Sequence, residues 1–173
     1  MIKYTTFRTK LGEFGLVKND IGLQALLLPQ PKITRRIVRK YGGQRKDVEF
    51  RDLIHRLKHY LVGEFITFDD IQVNTPNATQ FQKMVWSAIR KVPWGQVRSY
   101  NYIAQLINKP SAARAVGNAL ATNPAPIIIP CHRIIGSDGK LRGFIAGLKF
   151  KKILLDIERR GLKSLMKKEG DVK

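Results

Sequence analysis

Cysteine is almost missing from this chain: Cys131 is the only one among 173 residues. A single thiol excludes an intramolecular disulfide, a Cys-x-x-Cys redox pair and any thiolate-rich zinc site, leaving either one reactive nucleophile or one inert buried side chain. Histidine is scarce too, with three in all, so no metal set is convincing and no cofactor, metal or organic, is expected. Acid is the third shortage, 13 Asp and Glu against 32 Lys and Arg for a formal charge of +19. No apolar run approaches the ~18 residues that span a bilayer, and Met1-Ile2-Lys3-Tyr4 lacks the apolar stretch of a secretory signal. The expected setting is therefore cytoplasmic, with no membrane partner.

What is present argues for a folded protein of one or two domains, at 43% hydrophobic and 9% aromatic content. The charge is unevenly placed. Residues 1–80 hold 14 basic and 8 acidic side chains, whereas residues 81–173 hold 18 and 5. From Phe81 to Lys152 the only carboxylate is Asp138, set against 12 Lys and Arg. A field this one-sided suits a polyanion, because neutralising phosphates releases condensed counterions. A basic face kept only for solubility is the alternative.

The pattern predicts an α/β (α+β) fold: a small N-terminal sheet-plus-helix domain over residues 1–68, a linker over 69–80, a helical, winged helix-turn-helix-like domain over 81–163, and a charged, frayed tail over 164–173. Apolar alternation at Ile2, Tyr4 and Thr6, then Phe14-Gly15-Leu16-Val17 and Leu23 to Leu28, reads as an antiparallel meander. Helices are expected near Lys32 to Tyr41 and through Leu53, Ile54, Leu57 and Leu61. His55 and His59 share a face of the second helix, a metal-compatible spacing without a third ligand, so they read as solvated.

In the second half Thr79 and Gln82 have capping-box spacing ahead of an apolar stripe that ends before Pro93-Trp94-Gly95. Ser99 is placed to cap a second helix and Ser111 a third, Ala112 to about Thr122. Two short helices joined by a tight turn form a helix-turn-helix pattern, which any αα-hairpin shares. Ile127-Ile128-Ile129 reads as a buried strand, Asp138-Gly139 as a hairpin turn, and a last helix carries Phe150, Ile153, Leu154 and Ile157 and ends by Gly161. Cys131 lies between Pro130 and His132, with Arg133 next. An adjacent imidazole and positive charge can turn a thiol of pKa about 8.5 into a usable nucleophile. A cysteine protease is disfavoured, since it needs its histidine far away in sequence.

At Ile128-Ile129-Pro130-Cys131-His132-Arg133 the sequence resembles the O6-alkylguanine-DNA alkyltransferase family. The likeness runs over residues 79–160 and includes Pro93-Trp94-Gly95-Gln96-Val97, Ser99-Tyr100, Ala113-Arg114-Ala115-Val116-Gly117, Asn123-Pro124 and Leu154-Leu155-Asp156-Ile157-Glu158. The resemblance implies a catalytic group of Cys131 as alkyl acceptor, His132 as its base through a water, Glu158 orienting the imidazole, Tyr100 protonating the departing guanine and Asn123 ordering the turn. It further implies DNA contacts from Ser99, Arg114, Ala115, Gly117, Asn118 and Arg133, with Arg114 entering the duplex in place of a flipped nucleotide. That step answers a physical problem, because O6 of a stacked guanine is beyond the reach of a protein thiol.

The base pocket would be lined by Pro126, Phe144, Ile145 and Ala146. Where the family usually has Gly-Tyr-x-x-Gly-Leu, this chain reads Gly143-Phe144-Ile145-Ala146-Gly147-Leu148, so an aromatic surface is kept and a hydroxyl lost. The implied partner is double-stranded DNA containing O6-alkylguanine, O4-alkylthymine being a further candidate lesion, met by a monomer. The competing reading is a helix-turn-helix DNA-binding protein or lesion sensor in which Cys131 is structural.

Overall fold

The computed structural model describes residues 1–170. Three strands, β1 (Lys3–Thr9), β2 (Gly12–Lys18) and β3 (Leu23–Leu27), form the expected meander. Phe7 pairs with Phe14 across the first hairpin. A two-residue strand, β4 (Gln44–Arg45), joins β1 in parallel and gives the order β3-β2-β1-β4. Period-two alternation divides this sheet into two faces. Val17 and Ala25 turn toward α1 (Ile33–Tyr41), which buries Ile33 and Ile37 against them. Phe14, Leu16 and Leu26 turn the other way, into the main core.

That core does not stop at the end of the sheet region. It runs from Phe14 through Leu57 and Tyr60 of α2 (Arg51–Leu61) to Val85 and Ile89 of α3 (Gln80–Arg90), then to Ile103, Val116, Ile134 and Leu154. The outer edge of β3 is covered rather than open: Leu23 N–H donates to Gln72 O, Asn74 N–H to Leu23 O and Leu26 N–H to Pro124 O. Residues 72–74 thus lie along the strand edge, and the sheet buttresses the turn at Pro124. Covered edges of this kind leave no template for aggregation.

The helical half follows its capping signals closely. Thr79 accepts from the Gln82 N–H, and the Gln82 side chain accepts from the Thr79 N–H. Ser99 accepts from the Tyr102 N–H at the start of α4 (Tyr100–Leu106). The next helix, α5 (Ala113–Ala121), departs from expectation, because its N-cap is Ala112 and Ser111 makes no cap. A turn closed by Ala112 N–H to Lys109 O places Ser111 one residue too early.

The path around the cysteine and the end of the last helix differ from expectation. Ile127-Ile128-Ile129 is buried but is not a strand: Ile127 has φ +78° and Ile129 N–H donates to Ala125 O. Branched apolar residues there record burial, while the path is set by the side chain of Asn123. Asp138-Gly139 does form the expected turn, closed by Gly139 N–H to Gly136 O and Gly136 N–H to Lys140 O; before it β6 (Ile134–Ile135) pairs in parallel with β5 (Arg98–Ser99), and after it residues 140–146 form a loop. The last helix, α6, runs Gly147–Gly170 and passes straight through Gly161. Leu162 and Leu165 continue its apolar stripe onto the core. Gly161 is there for closeness: a Cβ on it would lie 2.3 Å from the Trp94 ring and closer still to Gly63 O. The expected frayed tail is therefore helical through Gly170, and residues 171–173 lie outside the described residues.

Candidate active site

The turn after α5 is organised by one amide. Buried Asn123 accepts from the Ala125 N–H at 3.0 Å through Oδ1, and its Nδ2 donates to Ile129 O at 2.8 Å and to Cys131 Sγ at 3.1 Å. Both ends of the turn and the thiol are held by the same side chain. Cys131 opens a 3-10 turn, Cys131–Arg133, and is only 4% exposed. Burial pushes its thiol up to about 11, against which the Asn123 hydrogen bond and the charge of Lys151 pull down.

His132 is fully buried, and burial holds its imidazole below the usual range although Glu158 pulls the other way. Its Nε2 lies 2.8 Å from Glu158 Oε1 and 3.1 Å from the Tyr60 hydroxyl, while Nδ1 is buried without a hydrogen-bond partner. A carboxylate on Nε2 fixes the proton there and leaves Nδ1 as a bare lone pair. Cys131 and His132 make no direct hydrogen bond.

Glu158 is the hub. Besides His132 it accepts from the Tyr60 hydroxyl at 2.6 Å, from the Gly95 N–H at 2.9 Å, and from Arg133 through Nε at 3.1 Å and Nη2 at 2.9 Å. Burial works against its charge, yet His132 and Arg133 hold the carboxyl far below the usual carboxylate range. Arg133 also donates to Val92 O at 2.7 Å. Expected at the DNA surface, Arg133 is instead buried, and its donors are spent inside the protein.

A second group, Tyr100 and Lys151, acts on the thiol through its charge field. The hydroxyl of half-buried Tyr100 donates to Arg142 O at 3.1 Å. Lys151, fully buried, donates to the same carbonyl at 2.7 Å and to Ile134 O at 2.5 Å, with its ammonium 5.8 Å from the Tyr100 ring centre. Burial lowers Lys151 to about 8, and burial followed by Cys131 raises Tyr100. Neither Lys151 nor Tyr60 was anticipated from sequence. Both sit on recognisable apolar stripes, Tyr60 three residues after Leu57 and Lys151 three before Leu154.

On the outer face of α5, Arg114, Ala115 and Asn118 are exposed and Gly117 is half-buried beside Tyr100. Ser99 is occupied as the cap of α4. Of the pocket residues, Pro126 is buried, Phe144 and Ala146 pack against the core edge, and Ile145 is 64% exposed. Pro126, Ile145, Ala146 and Asn123 form one wall of a cleft of about 770 Å³ whose other wall comes from β3 and α1. The His55 and His59 ring centres lie 4.1 Å apart with the rings tilted by 39°, and His59 Nδ1 pairs with Glu64. No cluster among the described residues could hold a metal ion, and no described helix is long and apolar enough to cross a membrane.

Residues 80–160 match the family described as the DNA binding domain of 6-O-methylguanine DNA methyltransferase, and residues 2–75 match its ribonuclease-like domain. Fold and site together thus define a two-part alkyltransferase architecture built around one thiol. Methylated-DNA--protein-cysteine methyltransferases of Methanosarcina barkeri and Methanosarcina acetivorans are 40% and 37% identical to the chain, over 92% and 90% of it and 99% and 97% of their own lengths. A crystal structure of Mycobacterium tuberculosis OGT in complex with DNA superposes with a TM-score of 0.78 at 35% identity, covering 92% of this chain and 94% of that one. The chain belongs to the 6-O-methylguanine DNA methyltransferase family.

Proposed function

We propose that the protein repairs DNA by taking an alkyl group from O6 of guanine onto Cys131. The observation that carries this reading is the state of the thiol: Sγ is held by Asn123 at 3.1 Å, beside an imidazole whose Nε2 is locked and whose Nδ1 is open. A thiol raised to about 11 is almost wholly protonated at neutral pH, so it needs a base. Neutral His132 supplies one, drawing the proton through a water, and Glu158 stabilises the imidazolium as it forms.

Sγ then attacks the alkyl carbon as the C–O6 bond breaks, and Tyr100 passes a proton to the departing guanine. Arg114 at the start of α5 enters the duplex and stabilises the flipped nucleotide, while the remaining basic surface holds phosphates. The thioether has no good leaving group and the chain no second cysteine, so each molecule, acting as a monomer in the cytoplasm on duplex DNA, repairs once. Residues 1–68 and 81–163 act as two units, the first bracing the second.

Intact mass after incubation with duplex containing O6-methylguanine tests the reading. A gain of one CH2 unit on Cys131, at most one per molecule, is expected. Binding without a mass change would support a lesion sensor instead, and several turnovers per molecule would exclude a sacrificial thiol.

A further inference from the structure

Residues 1–68 send one polar side chain into the site around His132. Tyr60, on α2, is fully buried, and its ring stands edge-on to the His132 ring with the centres 6.5 Å apart. Its hydroxyl donates to Glu158 Oε1 at 2.6 Å and lies 3.1 Å from His132 Nε2. Among the described residues, no other side chain of residues 1–68 hydrogen-bonds His132 or Glu158.

The two lengths decide where the phenol proton sits. The shorter contact is to the carboxylate, and burial together with Glu158 holds the phenol well above its usual pKa, so it stays a donor. Its oxygen therefore shows a lone pair to Nε2, which only a protonated Nε2 satisfies. Donation to Oε1 also draws charge from the same oxygen that pairs with Nε2 at 2.8 Å. An imidazolium gains from that charge, so the phenol weakens the pull toward protonation. The other groups facing His132 divide in sign: Glu158 favours the cation, whereas burial, Arg133 and Lys151 oppose it.

Resting on the reading of His132 as the base for Cys131, we infer that Tyr60 is a positioning residue: it fastens a proton on Nε2 and keeps the imidazole neutral, with Nδ1 open to draw the thiol proton through water. The unit that carries the sheet is thereby part of the proton relay as well as its support. Tyr60 keeps its own proton throughout.

The test reads the His132 imidazole titration by NMR, assigned by its loss in His132→Gln, beside the pH profile of single-turnover methyl transfer from duplex containing O6-methylguanine. Tyr60→Phe removes the donor and should raise both midpoints by about 0.5–1 pH unit, less than the roughly 1–3 units that a full charge produces. 3-Fluorotyrosine at position 60, a more acidic donor, should lower the imidazole midpoint. Leu57→Val removes packing from the same helix and should move neither.

An imidazole midpoint unmoved or lowered in Tyr60→Phe, unmoved in the fluorinated protein, or shifted as far by Leu57→Val would overturn the proposal and leave Tyr60 to packing alone. Because fluorination keeps both ring and hydroxyl, it decides the matter even where Tyr60→Phe does not fold. If the parent takes no methyl group while the imidazole midpoints shift as stated, the proposed function falls and the hold of Tyr60 on His132 stands. Methyl transfer with unmoved midpoints removes this inference alone.

Discussion

Arg133 and Arg114 carry the same side chain into opposite circumstances. Arg133 is buried, with Nε and Nη2 on Glu158 and Nη1 on Val92 O; Arg114 stands exposed on the first turn of α5. A buried ion survives only if every donor is matched, so Arg133 is committed to architecture. An exposed one owes the fold almost nothing and is available for a partner. Stability and binding should therefore separate between the two places.

The largest effect is expected at the hub. Glu158→Ala leaves Arg133 buried and unpaired, for which a loss of about 3–5 kcal/mol is typical, and urea unfolding would read it. A loss under about 1 kcal/mol would break the contrast. The same carboxyl gives a pH dependence of definite sign. Because its folded pKa is depressed, its contribution is full above the ordinary carboxylate range and is lost as pH falls through and below that range. His132, held neutral by burial, adds to acid destabilisation in the same direction.

Tyr60→Phe should cost less. It removes one hydrogen bond to a charged acceptor, worth about 1.5–3 kcal/mol, and keeps the ring in the core. It should also alter the pH profile of alkyl transfer, since Tyr60 lies 3.1 Å from His132 Nε2. In the parent that rate should rise through a pKa below the imidazole reference of about 6.5 and then level off. A rate climbing without a plateau toward pH of about 9 would mean that the thiol, at about 11, ionises unaided.

Arg114→Ala sits at the small end for stability, within about 0.5 kcal/mol, yet should slow repair of duplex lesions far more than attack on free O6-alkylguanine. Single-turnover rates on both substrates decide this, with Cys131→Ala abolishing each as the control. Equal rates for Arg114→Ala and the parent on saturated duplex would reduce Arg114 to a phosphate contact.

What could be read from the chain was whatever a few neighbouring residues settle between themselves. The capping box of Thr79 and Gln82, the Ser99 cap and the β1–β2–β3 meander are such features, each closed within a turn or a hairpin. Local patterns also misled where they reported burial rather than path, as at Ile127-Ile128-Ile129, or punctuation rather than closeness, as at Gly161. Cys131 and its neighbours His132 and Arg133 were visible as a motif, but the job of Arg133 was not.

The sequence by itself determined the supply: one thiol, few acids, and short elements with their caps. Only the tertiary structure decided the pairings. Tyr60 meets His132 and Glu158 across separations of 72 and 98 residues, Lys151 reaches the carbonyls of Ile134 and Arg142, and α1 faces Pro126 and Ile145 across one cleft. Local propensity extends over a turn or a strand pair, whereas the match of a buried charge to its partner depends on which surfaces the core brings together.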